Sequence, residues 1–175
     1  MRGVQPVAED RTDDGRVQQT KNYCSDGQQM KILLPIDDSK CSQAALKSVV
    51  TRVWSPGTEV KVLHVIEPPS HLLGREMKAY DPEFEAVWNA RRDQVKALVS
   101  KTMETLRGAG LSVTPVLQEG DARSQIIDVA KDWHADLIVL GSHGRMGLQR
   151  FLLGSVSEAV VRHAHCSVEI VRTQT

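Results

Sequence analysis

Five short apolar runs, alternating with helical stretches, limit the folds open to this chain more than any other feature of its sequence. Residues 31–36 (Lys31-Ile32-Leu33-Leu34-Pro35-Ile36), 60–66, 113–117, 136–140 and 167–171 each read as a strand. Between the first two, Leu46, Val49, Val50 and Val53 recur at i, i+3, i+4 and i+7, predicting a helix that Ser55-Pro56-Gly57 ends. A long helix is predicted from about Pro82 to Arg107, terminated by Gly108-Ala109-Gly110. Its apolar side is Phe84, Val87, Trp88, Val95, Leu98, Val99 and Leu106, and Trp88 at that spacing reads as core rather than part of a cofactor box. Asp121 is placed to cap a third helix carrying Ile126, Ile127, Ala130 and Trp133. Val156, Ala159, Val160 and Ala164 mark a fourth.

A βαβαβαβαβ order demands a parallel sheet with right-handed crossovers and helices on both faces. The first run is apolar almost throughout and reads as central, with Pro35 tolerable because it lies near the strand's end. Pro115 sits mid-run in the third strand and marks an edge, because proline cannot donate to a ladder. The expected class is therefore α/β, an open five-stranded sheet in the order 3-2-1-4-5. Its topological switch falls between strands one and four, where such sheets bind ligands. The two strand ends meeting there carry Asp37 and Gly141.

The fourth strand runs into Gly141-Ser142-His143-Gly144 and, after a further stretch, Gly154-Ser155 at the start of the last helix. A strand, a glycine-rich loop and a helix N-terminus together favour an anion, because the first-turn amides are unpaired and the helix dipole is positive there. Ser155 and Glu158 have the S-x-x-E spacing of a capping box. A well-capped helix after a flexible turn explains the same residues without any ligand. No G-x-x-x-x-G-K-[ST] loop is present, and the spacing differs from G-x-G-x-x-G.

Gly141, Gly144, Gly154 and Ser155 fill the pattern G-x2-G-x9-G-[ST], which resembles the nucleotide motif of the ATP-binding branch of the universal stress protein family. Leu34-Pro35-Ile36-Asp37 and His64-Val65-Ile66 are similar to the ends of that family's first two strands, so the resemblance covers about residues 30–172. It implies a Rossmann-like, adenine nucleotide α-hydrolase-like sheet. It further implies ATP as ligand, with magnesium arriving on the phosphates rather than in a protein cage. Asp37 and Val65 would hold the adenine; Gly141, Gly144, Gly154, Ser155, Val156 and Ser157 would hold ribose and phosphates. His143 and Arg145 could add positive charge there, a solvated surface position being the competing reading for Arg145 and a structural one for His143. The resemblance also implies a homodimer, for which the last strand would be an exposed edge.

Equal numbers of acidic and basic residues, 22 of each, argue against nucleic acid as a partner, and 4% aromatics against a base-stacking platform. No apolar run approaches the roughly 20 residues that span a bilayer. Cys24, Cys41 and Cys166 form no C-x-x-C and read as free thiols in a reducing compartment, the cytoplasm. Asp37-Asp38 reads as a helix start rather than an acid/base pair, and His64 as a core histidine. His163, His165 and Cys166 read as surface residues rather than metal ligands. The expected function is an ATP-binding regulatory protein of the stress response. Any turnover would be slow, because the P-loop lysine and a water-positioning base are both lacking. A nucleotide-processing enzyme on the same sheet and a nucleotide-free dimeric module are the alternatives.

Residues 1–29 are polar and aperiodic and read as a disordered tail before a domain over 30–172. Glu9, Asp10, Asp13 and Asp14 argue against a transit peptide. Met30 directly precedes the first strand, and translation is expected to begin there, an expectation that the intact mass of the native protein checks.

Overall fold

The computed structural model describes residues 29–67, 82–144 and 153–173. The chain runs β1 (Lys31–Pro35), α1 (Lys40–Val50), β2 (Glu59–Ile66), α2 (Pro82–Gly108), β3 (Ser112–Glu119), α3 (Ala122–Trp133), β4 (Leu137–Gly141), α4 (Ser155–His163) and β5 (Ser167–Val171). The strands form one parallel sheet in the order β3-β2-β1-β4-β5, the order expected from the sequence. Most of the expected tail, residues 68–81 and Arg145 lie outside the described residues.

Alternation along each strand divides the core in two. Ile32, Leu34, Val60, Val62, Leu137 and Val139 point to the face covered by α1 and α2. Leu33, Leu63, Ile138 and Leu140 point to the face covered by α3 and α4. With both faces covered, the central strands β1 and β4 are buried along nearly their whole length. Pro35 is the last residue of β1, so the ladder resumes at once with the Ile36 amide donating to the Leu63 carbonyl at 2.8 Å. Pro115 lies on the edge strand β3 opposite Val62. Trp88 packs against the first core, as its spacing predicts.

One expectation about helix extent needs correction. The stripe ending in Val53 overruns α1, which stops at Val50, and Val53 is fully exposed. Thr51 closes the helix, its amide and its hydroxyl both donating to the Lys47 carbonyl. Trp54 packs against the core and donates from Nε1 to the Val49 carbonyl at 2.8 Å. A bulkier side chain one residue on thus covers the spot that periodicity gave to Val53. On α2, Phe84 and Val87 have no described side chains, whereas Met103, absent from the predicted stripe, is buried.

Helix α1 is tied to β4 and β5 at opposite ends. Near its C-terminus Arg52 grips the edge-strand residue Glu169 through both terminal guanidinium nitrogens, at 2.5 and 2.6 Å, and Ser48 adds a bond of 3.1 Å. At its first turn the backbone of Cys41 lies so near Gly141 that a Cβ there would sit 2.6 Å from the Cys41 carbonyl carbon. The Cys41 carbonyl carbon and oxygen are main chain and its Cβ, 2.7 Å away, is fixed to the main chain, so none of the three can swing aside. Gly141→Ala is expected to destabilise the fold by about 1–3 kcal/mol, read from urea unfolding; an unchanged midpoint would contradict this packing.

Candidate functional site

The sheet reverses its winding between β1 and β4, and the crevice there opens at the carboxyl ends of the two strands. Asp37 lies two residues beyond β1. Its amide donates to Ser42 Oγ at 3.0 Å, and Oδ1 accepts from the Ser39 amide at 3.1 Å and the Ser39 hydroxyl at 2.5 Å. Ser39 is also the N-cap of α1, accepting from the Ser42 amide at 3.1 Å. The His143 carbonyl stands 3.3 Å from the same hydroxyl, so Ser39 links both lips of the crevice.

On the β4 side, a Cβ at Gly144 would lie 3.0 Å from Asp37 Oδ2. The Gly154 amide donates to the Ser142 carbonyl at 2.9 Å, and a Cβ at Gly154 would lie 3.1 Å from that oxygen and 3.3 Å from His143 Cα. The start of α4 is thereby folded back onto the exit of β4. The structure brings Asp37, His143, Gly144 and Gly154 to one place. Gly141 is beneath them, where its missing side chain admits the backbone of α1 and does not open onto the crevice. Val65 lies near the end of β2, one strand along the same rim, half-buried and packed on the second core.

The expected capping box does not form. The N-cap of α4 is Gly154, in extended conformation (φ −60°, ψ 149°) and with no side chain to bond, which makes Ser155 the first helical residue. Glu158 pairs with Arg162 at 2.9 Å instead of reaching back. The Glu158 amide donates to the Gly154 carbonyl at 2.8 Å, so the amides of Ser155, Val156 and Ser157 precede that bond. Ser157 is buried, and its hydroxyl donates to the Gly141 carbonyl at 2.8 Å; only its amide is left for a ligand. Val156 is half-buried against the second core. What the sequence misread as a cap is a helix end without a capping side chain, favourable to an anion through the dipole.

His143 is half-buried, its Nδ1 3.1 Å from Ser142 Oγ. His64 is the core histidine that its sequence context predicts, 2% exposed with Nδ1 2.8 Å from the Ile36 carbonyl. His163 and His165 are exposed, Cys166 is half-buried, and no metal-holding cluster of three or more such groups occurs among the described residues. No helix among the described residues is long and apolar enough to cross a membrane.

The sequence reading missed Ser39, Ser42, Ser142 and Cys41. Their only signal was local: Ser39 follows two aspartates where a cap belongs, and Ser142 sits inside the glycine loop. Burial pushes the Cys41 thiol up, but hydrogen bonds from the Ser142 and Thr173 side chains and the His143 and Thr173 amides outweigh it. The thiol is held below its usual range. Burial raises the Cys166 thiol as well, and there the nearby Asp136 charge adds to it, so this thiol is held above its usual range.

The universal stress protein family model matches residues 30–172. This chain belongs to that family. Universal stress protein MJ0531 of Methanocaldococcus jannaschii is 30% identical over 142 residues, covering 81% of each chain. Universal stress protein MJ0577 of the same organism is 30% identical over 155 residues, 81% of this chain and 94% of its own. The MJ0577 structure superposes with a TM-score of 0.71, covering 83% of this chain and 97% of that one. Two family structures of 18% and 17% identity, with TM-scores of 0.58 and 0.60, contain cAMP and, in an Arabidopsis thaliana protein, AMP; at that distance they establish the fold alone.

The two thiols should separate in a pH series. A lowered pKa populates the thiolate at lower pH, so Cys41 is expected to be alkylated from a lower pH than Cys166, read by peptide mass mapping. The reverse order would contradict the hydrogen bonds assigned to Cys41.

Proposed function

We propose that this chain is an ATP-binding universal stress protein with the nucleotide held at the switch point between β1 and β4. The observation that carries the reading is the meeting, in one crevice, of a carboxylate, bare glycine backbone and an uncapped helix N-terminus. These groups suit the two ends of a nucleotide. Asp37 accepts hydrogen bonds and repels phosphate, so the adenine or ribose end belongs beside it, with Val65 packing on the base. The amides of Ser155, Val156 and Ser157 suit the phosphates at the other end. Gly144 and Gly154 keep side chains out of the space between, and Gly141 contributes by holding α1 close. Arg145 carries a fixed positive charge and, with His143, is assigned to the phosphate end.

Magnesium would enter with the phosphates. Hydrolysis would be slow, and the role regulatory, because the chain has no P-loop lysine to draw charge from a leaving group. The AMP and cAMP carried by distant family members support an adenine nucleotide as the ligand class. The assembly proposed is a cytoplasmic homodimer through β5, the exposed edge beside the half-exposed Val161 of α4.

Native mass spectrometry of the undenatured protein tests the ligand and the assembly together. Retained adenosine triphosphate on a dimer is the expected result. A converted product favours the enzyme reading, and a bare protein the nucleotide-free module. Gly154→Val places a branched side chain against Ser142 and His143 at the mouth of the crevice. It is expected to abolish nucleotide binding in calorimetry while far-UV circular dichroism stays that of the parent. Undiminished binding would remove Gly154 from the site.

A further inference from the structure

The Asp37 carboxylate is held from one side only. Oδ1 accepts from both the amide and the hydroxyl of Ser39, whereas Oδ2 faces the position a Gly144 side chain would take. Among the described residues nothing bonds Oδ2. We propose that Ser39 is a positioning residue of the nucleotide site, fixing the Asp37 carboxylate so that Oδ2 is presented across the crevice as an acceptor. The inference rests on the nucleotide reading above and adds to it the origin of base selectivity.

Ser39 can hold this position because three elements converge on its hydroxyl. The oxygen accepts from the Ser42 amide as the cap of α1, donates to Asp37 after β1, and lies 3.3 Å from the His143 carbonyl after β4. Its backbone is extended (φ −74°, ψ 155°), and its own amide, pointing at Oδ1, adds a second restraint on the same carboxylate oxygen. With Oδ1 engaged twice, rotation of the carboxylate breaks two bonds. A flexible aspartate would accept from any donor within reach by turning toward it. A fixed one accepts only where its free oxygen already points, which is the condition for discriminating between bases. An exocyclic amine donates to Oδ2; a carbonyl in its place is repelled by it.

The test compares ATP with inosine triphosphate, which replaces that amine with a carbonyl, by calorimetry on the full chain. The parent is expected to prefer ATP. Ser39→Gly removes the hydroxyl but keeps most of the capping ability, since glycine is nearly as good a cap as serine. It is expected to lower the ratio of ATP to inosine triphosphate affinity by about tenfold, the size of one hydrogen bond to a charged group. Ser39→Thr, which keeps the hydroxyl, should restore the ratio. Equal loss of affinity for both nucleotides in Ser39→Gly, or an unchanged ratio, would overturn the positioning role while leaving the nucleotide site standing. A parent that binds neither nucleotide would remove the site itself, and the role of Ser39 with it.

Discussion

The closeness of the first turn of α1 to the end of β4 is the constraint on which the rest of the crevice depends. Gly141 has no room for a side chain because the Cys41 backbone occupies it. That contact sets how near the β1 exit comes to the β4 exit, and Ser39 then spans the remaining gap. Parallel sheets leave a cleft at the switch point in any case, because the helices on either side of it depart to opposite faces. Here the cleft is narrow enough for the two strand exits to share one hydroxyl.

Polar groups near the crevice fall into two sets. Ser39, Ser42, Ser142 and Ser157 bond to backbone or to neighbouring side chains and maintain the geometry. Among the described residues, Asp37 Oδ2 and the first amides of α4 bond to nothing, one an acceptor and the others donors. For the proposed nucleotide, opposite polarity at the two ends would favour one orientation, since phosphate beside Asp37 is repelled and a base amine gains nothing from a helix N-terminus. Arg52 and Glu169 hold the far end of α1 to the edge strand, so the helix is restrained at both termini.

Much of the fold was legible because it is a matter of periodicity. Strands buried on both faces must be continuous apolar runs, and amphipathic helices must carry their stripe, so β1, β4, α2 and α3 are visible in the sequence. The two prolines located themselves by the donor they lack. Legibility failed at helix ends. Val53 continues the stripe of α1 in sequence, yet the backbone turns at Thr51 and Trp54 covers the core instead. Ser155 and Glu158 have the spacing of a capping box, yet the helix starts one residue earlier than that pattern requires. A helix terminus is decided by a few hydrogen bonds of about 1 kcal/mol each, which tertiary packing readily outweighs.

The sequence by itself determined the architecture, the strand order and the family, because these follow from hydrophobic period, proline position and glycine spacing. Only the tertiary structure decided what each glycine is for. Gly141 serves the approach of a helix, whereas Gly144 and Gly154 border the crevice, and spacing cannot tell these apart. It also brought forward Ser39 and Cys41, about 100 residues from their partners at positions 142 and 143. A motif records which residues are close along the chain, but contacts between distant segments exist only once the sheet has assembled around them.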